Sequence, residues 1–154
     1  MMNPIIRPAR TTDADIICAF NRLMAKETEN LDLDLALVGP GVKAMLADPH
    51  KGRYFVAELG EQVVGQIGYT CEWSDWRNGY FWWIQSVYVA KPARRQGVFS
   101  KLLEMVVTAA RAQPDVIGVR LYVEHDNAAA QATYQQLGFA LTNYNVMEMY
   151  PLGH

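Results

Sequence analysis

Cysteine is scarce: Cys18 and Cys71 are the only two in 154 residues, far apart and without a C-x-x-C pair. That pattern excludes a disulfide scaffold, offers no zinc-ligand spacing, and makes a reducing cytoplasm the default location. Histidine is almost as sparse, with His50 behind a proline and His154 as the last residue, so no metal site is expected. No apolar run reaches the roughly 18 residues of a membrane span. Arg7, Arg10, Asp13 and Asp15 occupy the stretch where a secretory leader would need an apolar block. Excess positive charge is missing too: the net charge of −2 argues against a general nucleic-acid binder. Repeats, low-complexity tracts and Ser/Gly linkers are absent. What is present is a 51% hydrophobic chain, enough for one buried core. At roughly 100–200 residues per domain, residues 1–154 read as a single domain.

Ile5-Ile6-Arg7-Pro8 reads as a short strand stopped by its proline. Thr11-Thr12-Asp13 supplies capping oxygens. Ile16, Ile17, Phe20, Leu23 and Met24 then recur at helical spacing, which predicts a helix to about Glu29. A second helix is expected around Gly39-Pro40-Gly41 and on through Val42, Met45 and Leu46, stopped by Asp48-Pro49-His50. Residues 54–59 and 63–69 are strand-like and joined through Gly60-Glu61, a hairpin signal. Residues 73–79 read as a loop. Residues 80–89 are apolar and aromatic with only Gln85 and Ser86 as polar breaks, which fits a strand covered on both faces. A helix follows from Val98 through Leu102, Met105, Val106 and Ala109, closed by Pro114. Residues 119–123 predict a strand, Asp126 or Asn127 caps a helix to Leu137, and Gly138 ends it. Residues 139–141 and 144–150 are expected as final strands. The order β-α-α-β-β-β-α-β-α-β-β predicts a mixed α/β domain around one sheet.

The most informative segment is residues 87–100. An apolar strand end, Val87-Tyr88-Val89, feeds the basic turn Lys91-Pro92-Ala93-Arg94-Arg95-Gln96-Gly97, which opens a helix at Val98-Phe99-Ser100. A helix start presents unpaired N–H groups and the positive end of its dipole, which suits a phosphate. Gly97 lets backbone approach an anion closely. Between Asp75 and Glu104 there is no acidic residue, whereas Arg77, Lys91, Arg94, Arg95 and Lys101 are basic. In an acidic chain this asymmetry points to a local anion site, with an ordinary solvated turn as the alternative. G-x-x-x-x-G-K-S/T is absent, and G-x-G-x-x-G follows no predicted strand, so neither common nucleotide fingerprint applies.

Arg94-Arg95-Gln96-Gly97-Val98-Phe99 resembles the acyl-CoA loop of the GNAT N-acetyltransferase superfamily, Q/R-x-x-G-x-G/A. Asn127, Ala130, Tyr134, Gly138 and Phe139 resemble the same family's N-x-x-A-x-x-x-Y-x-x-x-G-F signature. One departure is Phe99, where the family usually has Gly or Ala; its ring must turn away from the pyrophosphate or narrow the pocket. The resemblance implies a mixed sheet of about seven strands, with splayed parallel central strands and about four helices. It implies acetyl-CoA as donor and no metal. Backbone groups of Val87, Tyr88 and Val89 would pair with the pantetheine arm, and the Val87 N–H would hold the oxyanion. Arg94, Arg95, Gln96, Gly97, Val98, Phe99 and Ser100 would form the pyrophosphate loop. Asn127 would contact the arm or cap its own helix, and Tyr134 would be the general acid.

Many relatives carry a Glu where this chain has Gln85, and an amide accepts no proton at neutral pH. Glu72 is then the first candidate base, Glu124 and Glu27 are others, and an amine that arrives neutral needs none. For the acceptor, Glu27 and Glu29, with Asp32 and Asp34, suggest an acidic rim for a cationic amine, against a plainly solvated helix end. The aromatic run around Trp76 is loosely similar to a segment of diamine and polyamine acetyltransferases, against simple sheet packing or a dimer interface. Gln85 would border the same pocket. The expectation is therefore an N-acetyltransferase for a small primary amine, polyamine or amino-acid-like, acting through a ternary complex. Its alternatives are a protein or peptide N-acetyltransferase and a non-catalytic acyl-CoA-binding module. Partners beyond the amine are expected to be a second copy, as a homodimer, and neither nucleic acid nor membrane.

Overall fold

A computed structural model describes residues 2–154. The chain divides into two compact units, Met1–Leu121 and Tyr122–His154. The first holds β1 (Ile5–Pro8), α1 (Ala14–Glu29), α2 (Leu35–Ala47), β2 (Arg53–Leu59), β3 (Gln62–Ser74), β4 (Gly79–Val89), α3 (Val98–Arg111) and β5 (Val116–Leu121). Its sheet runs in the order β1-β2-β3-β4-β5. Neighbours are antiparallel through β4, and β5 is parallel to β4.

A charge cluster fixes the entry to the fold. Asp13 accepts from the Arg10 backbone N–H and from both terminal nitrogens of Arg7, at 2.8 and 3.0 Å. Arg7 Nε donates to Glu58 at 2.7 Å, which ties β1 to β2 and to the start of α1. Helix α1 buries Ile17, Phe20 and Ala25 at helical spacing, and Asn30 ends it in the left-handed conformation. Asp34 caps α2 by accepting from the Ala36 N–H. Ile17, Val42, Tyr54 and Val56 join these two helices to β2 in one core.

Successive side chains of β3 alternate between faces. Gln66 meets Asn21 of α1, while a Cβ placed on Gly65 would lie 3.1 Å from Val98 of α3. Helices α1 and α3 thus cover opposite faces of the sheet, and the glycine lets α3 approach closely.

The second unit contains α4 (Ala128–Gln136), capped by Asn127, whose Oδ1 accepts from the Ala130 N–H at 3.0 Å. Gly138, at φ 98°, ends it, and the Phe139 N–H returns to the Tyr134 carbonyl. Residues 139–141 and 144–150 form no strand, so the described residues hold five strands rather than about seven. Alternating apolar residues make a strand only where a neighbour supplies the ladder, and here Leu141, Tyr144, Val146 and Met147 are exposed. Two boundaries also move: β3 continues to Ser74 through part of the expected loop, and β5 begins at Val116 and ends at Leu121. The fold class and the four helices stand as expected. No helix among the described residues is long and apolar enough to cross a membrane.

Candidate active site

The parallel pairing of β4 with β5 runs from Tyr80–Val116 to Ile84–Leu121 and stops there. Residues 85–89 continue past the end of β5, so this edge of β4 lies outside the sheet's ladder. On its other side β4 carries a bulge. Gln85 pairs with Gly68 and Tyr88 with Gln66, so Ser86 and Val87 together face the single residue Ile67. Ser86 adopts φ 53°, a left-handed backbone that a non-glycine residue seldom takes.

Beyond Val89 the chain makes a single 3-10 turn at Lys91–Ala93 and then the basic loop. Arg95 has φ 64° and Gly97 φ 78°, with Gln96 between them outside the left-handed region. Alternating handedness of this kind turns successive N–H groups to one side and makes an anion-binding concavity. Gly97 is also the cap residue of α3 and offers no side-chain acceptor of its own. A Cβ at Gly97 would touch nothing within 4 Å, so glycine is required there by backbone conformation rather than by crowding. A cavity of about 350 Å³ opens here, lined by Val89, Ala93, Arg94, Arg95, Gly97, Val98, Phe99 and Ser100. Phe99 therefore borders the anion loop instead of leaving it.

Two side chains brace the loop. Gln96 Nε2 donates to the Pro92 carbonyl at 3.0 Å. Arg94 Nε donates to the Val89 carbonyl at 2.8 Å, and its Nη2 donates to Glu27 at 2.8 Å. Glu27, in the last turn of α1, also accepts from the Tyr88 hydroxyl at 3.0 Å and lies 3.7 Å from Lys91. The Arg94 guanidinium holds the Glu27 carboxyl below its usual range. Burial, reinforced by the carboxylate, pushes the Tyr88 phenol up. Glu27 thus faces the basic loop. Of the other acids near the end of α1, Asp32 pairs with Lys26, Asp34 caps α2, and Glu29 is exposed.

The remaining expected residues lie elsewhere. Gln85 borders the bulge and donates toward the Thr70 hydroxyl at 3.5 Å. Glu72 faces Phe81 across the β3–β4 ladder. At ~3.4 Å per strand residue that is about 14 Å from Gln85. Its carboxylate accepts from Arg120 at 3.2 Å. Arg120 in turn lies 3.6 Å over the Phe81 ring. Trp76 sits at the β3–β4 tip, 86% exposed, some eight strand residues or about 25 Å from Val87. Trp82 is buried and stacked on Tyr69 at 4.0 Å, so part of the aromatic run is sheet packing. In the second unit, Tyr134 meets Phe139 edge to face at 5.6 Å. Burial raises its phenol above the ordinary value.

Reasoning from sequence missed Gln66, fully buried in β3 and bonded to Asn21 and to the Ser86 carbonyl. The available signal was one amide inside the apolar run Val63-Val64-Gly65-Gln66-Ile67-Gly68. It also missed Arg120.

A strand edge that leaves the ladder beside a bulge thus runs into a basic turn at a helix start. Residues 19–139 match the model of the acetyltransferase (GNAT) family, and the chain belongs to that family. A solved structure of a possible acetyltransferase from Clostridium difficile 630 is 45% identical. It superposes with a TM-score of 0.92 over 99% of both chains. The chain is 33% identical over 89 residues to GCN5-related N-acetyltransferase 6, chloroplastic, of Arabidopsis thaliana; the match covers 58% of this chain but only 30% of that protein. A ribosomal-protein-alanine N-acetyltransferase from Brucella melitensis biovar Abortus 2308 is 13% identical with a TM-score of 0.77 over 97% of this chain and all of its own, and shows the fold alone. Members of this family take acetyl-CoA as acyl donor and an amine as acceptor.

Proposed function

We propose that this chain transfers the acetyl group of acetyl-CoA directly to a primary amine of a small, cationic molecule, a polyamine or an amino-acid-like compound, within a ternary complex. The observation that carries the reading is the open β4 edge of residues 85–89 running into the Arg95–Gly97 cradle. An extended arm adds to such an edge as a strand would, and its phosphates end at the N–H groups of residues 95–100. The donor residues are Val87, Tyr88 and Val89 for the arm, and Arg94 to Ser100 for the pyrophosphate. Asn127 serves by capping α4.

In the reaction the amine nitrogen attacks the thioester carbonyl carbon. The Val87 N–H stabilises the oxyanion; such preorganised donors contribute about 3–4 kcal/mol. The C–N bond forms, the C–S bond breaks, and Tyr134 gives its proton to the sulfur. A phenol carries that proton at neutral pH, and burial pushes Tyr134 further in the same direction. The proton lost by the amine goes to water, and Glu72 is given no part as base because it is paired and distant. On the acceptor side, Glu29, Asp32 and Asp34 supply negative charge for a cationic amine, with Gln85 beside the reacting carbonyl. Glu27 serves the donor side by holding Arg94. The cytoplasm and a homodimer complete the reading.

Thermal melting with acetyl-CoA, with free CoA and AMP as controls, tests it. A ligand at 100 times its Kd stabilises by ~2.7 kcal/mol, and each kcal/mol moves the midpoint of a domain this size by about 2–4 °C. A rise of several degrees with acetyl-CoA and CoA but not AMP is expected, followed by thiol release with di- and polyamines. No rise with acetyl-CoA overturns the donor site; thiol release with peptides alone overturns the small acceptor.

A further inference from the structure

We propose that Gln66 is a positioning residue that aims the Val87 N–H, an inference that rests on the acetyl-transfer reading above. Gln66 is fully buried in β3. Its Nε2 donates to Asn21 Oδ1 of α1 at 2.7 Å and to the Ser86 carbonyl at 3.0 Å. Asn21 is itself buried, so the Gln66 amide links the buried face of α1 to the bulge. Gln66 Oε1 meets no hydrogen-bond partner among the described residues. A buried acceptor left open is costly. The amide is kept in place by what its two donors hold.

The bulge makes that bond matter. With Ser86 and Val87 opposite Ile67 alone, the ladder is broken at this point. Ser86 sits at φ 53°, a backbone state that persists only where its surroundings impose it. The Ser86 carbonyl and the Val87 N–H belong to one planar trans peptide, so they point in opposite directions. Fixing the carbonyl on Gln66, toward α1, therefore directs the Val87 N–H away from α1. Releasing the carbonyl frees the whole peptide plane to rotate, and the N–H with it.

The test is infrared spectroscopy of acetyl-CoA labelled with ¹³C at the thioester carbonyl, bound to wild type and to Gln66→Met, alongside kcat and Kd. In wild type the carbonyl band shifts to lower wavenumber on binding. In Gln66→Met the shift is lost and kcat falls ten- to a hundredfold, while Kd for acetyl-CoA stays within about threefold. Val106→Ala, a buried change in α3, controls for loss of stability and keeps the shift. If Gln66→Met does not fold, Asn21→Ala is read instead and weakens the shift in the same direction. A shift and kcat unchanged in Gln66→Met overturn the role of Gln66 alone. Loss of the shift in Val106→Ala as well makes the effect one of stability and also overturns it. A wild type that binds no acetyl-CoA overturns the donor reading and this inference with it.

Discussion

Tyr134 and Asp13 show how differently two buried-leaning polar groups act. A tyrosine phenol is protonated at neutral pH, and burial moves that of Tyr134 further in the same direction. In the proposed mechanism, Tyr134→Phe removes the proton given to the leaving sulfur. We expect kcat to fall by about a hundredfold or more, the range for lost general acids, with the acetyl-CoA melting shift preserved; equal turnover at saturating substrate would remove Tyr134 from the chemistry. Asp13 works for the fold. Its carboxyl is held below the usual range, chiefly by the Arg7 hydrogen bonds. A lowered folded pKa contributes stability above the unfolded value of about 3.9, lost as pH falls through the folded value. Asp13→Asn leaves Glu58 as the one carboxylate on Arg7, and losing a hydrogen bond to a charged partner costs about 1.5–3 kcal/mol. Melting from pH 7 to pH 2 should show the wild-type advantage at neutral pH shrinking below about pH 4; a constant gap would refute the assignment.

At the scale of elements, the basic turn and α3 were legible because they depend on local chemistry: a proline turn, a glycine with positive φ, and an apolar stripe. Gly97→Glu tests that loop. A Cβ there meets no atom within 4 Å, and the left-handed backbone costs a non-glycine residue about 1–2 kcal/mol. The added charge should abolish the acetyl-CoA melting shift while the unliganded melt moves by only a few degrees; a retained shift would place the phosphates elsewhere. The last strands were not legible for the opposite reason. Residues 144–150 have strand composition, but pairing is a property of two segments, and composition describes one. The same limit hid the β4 bulge, visible in sequence only as the two polar residues Gln85 and Ser86. It also hid Glu27, which reads as one of four acids at a helix end and turns out to meet Arg94, 67 residues away in sequence.

For the whole molecule the balance of charge is informative. The net charge is −2, yet Lys91, Arg94, Arg95 and Lys101 gather on one loop and the helix it opens. Attraction of a polyanionic donor to that loop is screened over about 10 Å at 0.1 M salt. The KM for acetyl-CoA should therefore rise several-fold between 50 and 500 mM NaCl with kcat little changed. A flat KM would mean that backbone N–H groups alone hold the phosphates. The family was readable from two short motifs that flank β5 in sequence. The acceptor was not, because it is read by surfaces that no short motif encodes.

The carboxylate of Glu27 is a shared tether. One oxygen is claimed by Arg94 of the donor loop and the other by the hydroxyl of Tyr88, while its backbone closes α1 beside the acidic segment that leads to α2. On the proposed reading, a phosphate that draws Arg94 toward itself slackens that tether and frees the end of α1 as the donor settles. Donor and amine are then expected to bind interdependently. Whatever factor the donor imposes on amine affinity, the amine must impose on donor affinity. Titrating each ligand in the presence and absence of a dead-end analogue of the other should return one common factor different from unity, and Glu27→Gln should bring it toward one.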